Sequence, residues 1–161
     1  MDYLIDTHHL EPQAIVSIRD RRKQDDLPGF IKAAFPELFG RLRLLGIAPS
    51  GPPFVIYHEL GADGIDAEVS VPIREPIATA GKIESRVVPA MTVARTVHLG
   101  PYEKLGDAYT ALWSWIRSHG FEIAGPFRER YLNGPGERVA SSGYLTEIEM
   151  PIVPVVSTAP V

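Results

Sequence analysis

The sequence predicts an α+β fold in which two strand-helix-strand-strand units form a curved antiparallel sheet with two main helices. One observation is an internal repeat: residues 51–57 open with Gly-Pro and close with Tyr, as residues 125–131 do, at a shift of 131 − 57 = 74. Another is that residues 65–73 match residues 144–152 at a shift of 147 − 68 = 79. A repeat of this length indicates a duplicated module rather than a solenoid. We therefore expect a pseudo-twofold axis between the halves, with a ligand cleft along it.

Residues 27–45 predict the first helix, because apolar residues recur at helical spacing and Gly46 follows as a left-handed stop. Asp26 is available as the N-cap, and Pro28 suits the first turn. Pro36 lies inside the pattern, where it removes a helical hydrogen bond, so we expect a kink or a restart there. The predicted core stripe is Phe30, Ala34, Leu38, Leu42 and Leu45.

The second helix is predicted to begin within residues 100–103 and to end at Gly120. Its apolar stripe is Leu105, Ala108, Tyr109, Leu112, Trp113 and Ile116. β-prone runs predict strands at residues 14–18, 54–58, 65–73, 82–88, 91–99, 125–131 and 144–152. Residues 1–10 are polar and carry no predicted strand, whereas residues 153–161 have no periodicity and predict a loose tail.

Composition narrows the classes of protein. The 161 residues fit a single domain, 1–161, with a core of about 12–153 and a tail at 154–161. There is no cysteine, which excludes disulfides and thiolate catalysis, and no apolar run approaches the roughly 18 residues of a membrane helix. The formal charge of −4 argues against a nucleic-acid surface. Without a signal-like start, the expected location is the cytoplasm.

The strand at residues 125–131 places one acid among aromatic side chains. Because side chains alternate along a strand, Phe127, Glu129 and Tyr131 share one face, while Arg128 and Arg130 take the other. A carboxylate on a covered face needs a partner. That partner is either an external cation or an arginine of the chain, the candidates being Arg86, Arg95 and Arg128.

Four stretches together resemble the GyrI-like (gyrase-inhibitor-like) family, which includes the effector-binding domains of AraC-type and MerR-type bacterial regulators. They are Gly100-Pro101-Tyr102-Glu103, the helix segment 112–115, Gly125-Pro126 followed by Glu129-Arg130-Tyr131, and residues 144–148 closing on Pro151. The resemblance covers about residues 12–153 and implies a duplicated α+β fold.

The resemblance also implies a pocket between the halves for a bulky lipophilic or cationic aromatic ligand. It assigns Glu129 to the floor of the pocket, matches Trp115 to the family's helix tryptophan, and puts Tyr57, Tyr131 and Tyr144 at positions of pocket aromatics. The strand face and the helix stripe add Phe127 and Tyr109 as candidate ligand-binding residues.

The predicted function is a stand-alone small-molecule-binding module. About 13 residues precede the first predicted strand, which leaves no room for a DNA-binding domain, so no direct nucleic-acid contact is expected. Two alternatives stay open. One is a hydrolase of cyclopropanoid genotoxins with Glu129 as general base and Tyr57 or Tyr131 as proton donor. The other is a module that acts on another protein, such as a regulator or gyrase.

No cofactor or metal is expected. Asp6, His8 and His9 are the nearest approach to a metal-binding set, but adjacent residues of an extended chain point to opposite sides. No phosphate-binding glycine loop or nucleophile elbow is present either.

Overall fold

The computed structural model describes residues 2–135 and 137–156. It contains two α-helices, α1 (Leu27–Leu44) and α2 (Leu105–Ser118), the second preceded by a short 3-10 turn at Tyr102–Lys104. The strands are β1 (Asp6–Leu10), β2 (Gln13–Arg22), β3 (Phe54–Gly61), β4 (Gly64–Ile73), β5 (Glu84–Val88), β6 (Met91–Leu99), β7 (Phe121–Ile123), β8 (Phe127–Tyr131) and β9 (Leu145–Pro154). The predicted α+β class with two helices and an antiparallel sheet is confirmed.

Eight strands form a curled antiparallel sheet in the order β1-β6-β9-β8-β3-β4-β2-β5, and β7 pairs separately with β9. The two halves correspond as predicted: β2, α1, β3 and β4 repeat as β6, α2, β8 and β9. The halves meet where β3 pairs with β8.

The prediction that residues 1–10 carry no strand is wrong. Residues 6–10 form β1, which pairs with β6, while β5 pairs with β2. Each half therefore sends its leading strand to the edge of the other half. The polar sequence of β1 hid this strand, because four of its five residues are exposed at the edge of the sheet.

Both helices pack on the same face of the sheet, α1 against β2 and β4 and α2 against β6, β7 and β9. Helix α1 continues through Pro36 without a restart. Asp26 occupies the expected N-cap position, but its side chain makes no capping bond. Leu45 is 50% exposed and does not belong to the core. Gly46 does adopt the predicted left-handed conformation, with φ at 69°.

Residues 153–155 are more ordered than predicted. Strand β9 includes Val153 and Pro154, and the amide of Val155 donates a hydrogen bond to the carbonyl of Gly120. Residues 157–161 of the predicted tail lie outside the described residues. Neither helix of the described residues is long and apolar enough to cross a membrane.

Candidate functional site

Glu129 lies at the junction of the two halves. Strand β8 holds it directly opposite Val55 of β3 and next to Ile148 of β9. Its side chain lies on the helix-covered face, as the strand alternation predicts, together with Phe127 and Tyr131. Only 8% of Glu129 is exposed. The fold thus places a nearly buried carboxylate at the centre of the repeat.

Three phenol hydroxyls donate hydrogen bonds to this carboxylate. Tyr131 reaches Oε1 at 2.8 Å and Tyr57 reaches the same oxygen at 3.3 Å. Tyr109 of α2 donates to Oε2 through a short bond. The three tyrosines come from both halves of the molecule, β3, β8 and α2, so the site depends on the assembly of the whole sheet.

Aromatic rings enclose the same carboxylate. Phe127 stacks on Tyr57 with ring centroids 5.1 Å apart and meets the edge of Tyr109 at 5.3 Å. Tyr131 is contacted edge-on by Phe35 of α1, at 6.1 Å. The negative faces of such rings attract cations, so this shell is chemically suited to a positively charged or aromatic guest.

No arginine of the described residues forms a salt bridge with Glu129. Among the described residues, Arg86 pairs with Glu68 and Arg95 pairs with Asp6, whereas Arg128 donates to the sulfur of Met91. The alternative in which Glu129 only ties strands together through an arginine is therefore wrong. Neither expected partner, an external cation or an arginine, anticipated that the oxygens of Glu129 accept bonds from neutral phenols. Those bonds satisfy the oxygens and leave the charge uncompensated.

The three phenols stay protonated. Burial, reinforced by the nearby charge of Glu129, raises the pKa of Tyr57, Tyr109 and Tyr131 far above the usual value. A protonated phenol can donate to a carboxylate, so the electrostatics and the hydrogen bonds agree.

Tyr102 belongs to this shell and was missed as a candidate. Its ring contacts Tyr131 edge-on at 5.8 Å and lies 5.1 Å from the ring of Tyr144. Burial raises the pKa of Tyr102 to about 12. The only sequence signal was its place in the Gly100-Pro101-Tyr102-Glu103 stretch, which we used to identify the family and not the site.

The remaining candidates are separated from the carboxylate. Tyr144 reaches the site only through Tyr102. Trp115 stacks on His119 at 4.1 Å and on Phe121 at 6.1 Å, on the core side of α2. The structure does not bring it to Glu129. The other tryptophan, Trp113, lies 6.2 Å from the ring of Tyr109 and is 48% exposed.

Two surface hollows lie away from the carboxylate. One of about 480 Å³ is lined by Thr110, Trp113, Ser114, Arg117 and Ser118. The other, of about 310 Å³, is lined by Arg41, Leu45, Ala78, Thr79, Ala80 and Ile83. Glu129 is 8% exposed, so little of its carboxylate is open to a bulky ligand in this conformation.

The opposite face of the sheet carries a separate set of charges. Glu68, 1% exposed, accepts hydrogen bonds from Ser17, Arg86 and His58. Burial by itself raises the pKa of Glu68, but these bonds outweigh that effect and hold the pKa well below its usual range. His58, on β3, is satisfied by its bond to Glu68. With every partner in place, this cluster ties β2, β3, β4 and β5 together.

Metal binding has no support in the described part of the chain, where no group of three or more His, Asp or Glu side chains could hold an ion. His9 lies near Glu11 at the surface, 3.5 Å away, and Asp6 pairs with Arg95.

One family of proteins matches most of the chain. The family of GyrI-like small molecule binding domains matches residues 5–153. The C-terminal domain of EcmrR superposes with a TM-score of 0.85 at 26% identity, covering 96% of this chain and all 100% of that domain. Among the curated proteins, none matches this chain.

Two further solved structures extend the comparison. The EcmrR chain in its complex with DNA has a TM-score of 0.84 and 25% identity; the match covers 96% of this chain and 58% of EcmrR. This chain therefore spans little more than half of that protein. SAV2435 bound to tetraphenylphosphonium has a TM-score of 0.67 over 95% of this chain and 94% of that one; at 20% identity it is evidence of a shared fold alone.

Proposed function

Because this chain belongs to the family of GyrI-like small-molecule-binding domains, we propose that its ligands are lipophilic or aromatic cations and that Glu129 supplies the charge that selects them. The observation that carries the proposal is a carboxylate that is 8% exposed and forms no salt bridge among the described residues. A buried charge without a counterion is costly, and a bound cation offsets that cost.

The aromatic shell supports the same class of ligand. A cation held over a tyrosine or phenylalanine face gains about 0.5–2 kcal/mol, and aromatic contact depends little on the outline of the guest. The rings of Tyr57, Phe127 and Tyr109 already contact one another around Glu129. A shell of this kind favours broad recognition of cations over recognition of one shape.

Binding requires a rearrangement of the site. Tyr102 is half-buried, contacts the ring of Tyr131 and, unlike Tyr109 and Tyr131, donates no hydrogen bond to Glu129 among the described residues. A bulky cation reaches Glu129 if the ring of Tyr102 rotates outward while the phenols that bond the carboxylate stay in place, and its affinity is reduced by the energy of that opening. SAV2435, which has the same fold, is solved bound to tetraphenylphosphonium, which supports a bulky cation as the class of ligand.

Thermal unfolding with tetraphenylphosphonium tests the proposal. At about 100 times the Kd, a ligand that binds only the folded state adds about 2.7 kcal/mol. That gain raises the Tm of a protein of this size by about 5–10 °C. We expect this rise for the native chain and only a small one for Glu129→Gln. Glu122→Gln removes the same charge from an exposed position on β7 and should behave as the native chain does.

The test has two failing outcomes. The proposal is wrong if tetraphenylphosphonium leaves the Tm of the native chain unchanged, or if Glu129→Gln keeps the whole shift. The hydrolase alternative stays a prediction, and mass analysis of a cyclopropane-containing compound after incubation checks it through the gain of one water. The gyrase alternative also stays a prediction, checked by capture of purified gyrase on the immobilised protein.

A further inference from the structure

The carboxylate of Glu129 has nearly exhausted its capacity to accept hydrogen bonds. A carboxylate offers about four acceptor positions on its two oxygens. Tyr57 and Tyr131 occupy Oε1, and Tyr109 occupies one position on Oε2. At most one position, on Oε2, is left for a guest. The charge of the carboxylate remains available, because all three donors are neutral.

The residues around Glu129 offer few other hydrogen-bond acceptors to a ligand. Phe127 contributes a ring with no polar atom, and its contacts with Tyr57 and Tyr109 cover the carboxylate from the side of β8. The phenol oxygens are weaker acceptors than a carboxylate and are fixed by the bonds that they donate. A ligand with several hydrogen-bond donors therefore finds too few acceptors at this site.

We infer that this site selects permanently charged cations without hydrogen-bond donors, such as quaternary ammonium and phosphonium groups, over protonated amines. The inference rests on the proposed function and specifies its ligand class. A primary ammonium brings three N–H donors and finds one open acceptor, so it loses hydration that the protein does not replace. A quaternary cation has no donor to satisfy and gains the full attraction of the charge and the rings.

A matched pair of ligands isolates the headgroup. Naphthylmethyl-trimethylammonium and naphthylmethylammonium carry the same ring and the same charge at neutral pH. Isothermal titration calorimetry gives the Kd of each for the native chain, and we expect the quaternary ligand to bind at least about tenfold more tightly, as one poorly satisfied charged donor is worth about that factor. The methyl groups of the quaternary ligand also add apolar contact, which by itself would tighten its binding. The ratio of the two Kd values must therefore also be measured in a variant that changes only the number of free acceptor positions.

Tyr109→Phe supplies that variant. It removes the bond to Oε2 and frees one more acceptor position without changing the ring. Only the primary ammonium can use the freed position, so the ratio should fall by at least about fivefold, the size of one charge-assisted hydrogen bond. Tyr3→Phe is the control: it removes a phenol bonded to His98, 2.8 Å away, and should leave the ratio unchanged.

The outcomes separate the two claims. A ratio that is the same in Tyr109→Phe as in the native chain overturns the inference while cation binding by Glu129 stands. Tighter binding of the primary ammonium by the native chain does the same. If neither ligand binds the native chain, the proposed function is wrong and the inference falls with it. Melting curves of both variants, taken without ligand, establish that each is folded at the temperature of the titration.

Discussion

Val55 and Glu129 lie directly opposite each other in the pairing of β3 with β8, and they are also equivalent positions of the internal repeat, since 129 − 55 = 74. The pseudo-twofold axis therefore passes between them. One copy carries an apolar residue at this position and the other carries the acid. The duplication has produced a symmetric scaffold with a single charge at its centre.

The network around Glu68 should make stability depend on acid pH. The pKa of Glu68 in the folded protein lies below its reference value of 4.5, so its contribution is present above about pH 4.5 and is lost as the pH falls toward the folded pKa. Chemical denaturation between about pH 7 and pH 3 should show unfolding free energy falling with pH. Glu68→Gln should cost about 3 kcal/mol at pH 7 and flatten this dependence. An unchanged slope in Glu68→Gln would contradict this account, and Glu122→Gln is the exposed control.

Two arginines on that opposite face should respond differently to the same substitution. Arg130 bonds Glu149, whose side chain is 1% exposed, so Arg130→Met leaves a buried carboxylate unpaired and should cost about 3 kcal/mol. Arg128 is 3% exposed and its Nε has no partner among the described residues, while burial lowers its pKa. Arg128→Met should change stability by less than about 1 kcal/mol. Urea denaturation measures both, and equal losses would show that the contacts of Arg128, including its bond to Met91, stabilise the fold as much as the pairing of Arg130 with Glu149 does.

The two tryptophans should report ligand binding unequally. The chain contains only Trp113 and Trp115. Trp113 lies beside Tyr109, whereas Trp115 is stacked on His119 and Phe121. Tetraphenylphosphonium should therefore change the emission of Trp115→Phe as it does that of the native chain, and should leave Trp113→Phe nearly unchanged. If instead the ligand changes the emission of Trp113→Phe and not that of Trp115→Phe, Trp115 lies at the ligand site, as the family resemblance implies.

Gly134 should control the position of Tyr102. A Cβ at Gly134 would lie 2.7 Å from the Tyr102 hydroxyl, so Gly134→Ala must displace that side chain from its contact with Tyr131. We expect Kd for tetraphenylphosphonium to change by at least about threefold, an effect of the order of one aromatic contact. Gly106→Ala, with no atom within 4 Å of the added carbon, should stabilise α2 by about 0.5–1 kcal/mol and leave Kd unchanged. Identical Kd values for both variants and the native chain would exclude Tyr102 from the site.

Much of the fold could be predicted because the repeat is visible in the sequence. The Gly-Pro openings and the alternation around Glu129 gave the correct face for Phe127, Glu129 and Tyr131. Strand β1 escaped because an exposed edge strand has no apolar alternation to detect. Helix α1 stays continuous because the packing of its apolar stripe on β2 and β4 outweighs the bond lost at Pro36.

The contacts around Glu129 were harder to predict from the sequence than the fold was. That Glu129 would accept three phenol bonds could not be foreseen, because Tyr57 and Tyr109 lie 72 and 20 residues away in sequence and meet it only through strand pairing and helix packing. The choice between the two tryptophans was difficult for a simpler reason. Trp113 and Trp115 are two residues apart on α2, so they point in different directions, and the resemblance alone selected between them.

The most direct measurement is a calorimetric comparison of naphthylmethyl-trimethylammonium with its neutral tert-butyl isostere, for the native chain and for Glu129→Gln. The two ligands have the same shape, so the ratio of their Kd values isolates the contribution of charge. The account predicts that the native chain prefers the cation by at least about tenfold, or 1.4 kcal/mol, and that Glu129→Gln loses this preference. The same preference in both proteins would contradict the central claim that Glu129 selects the ligand by its charge.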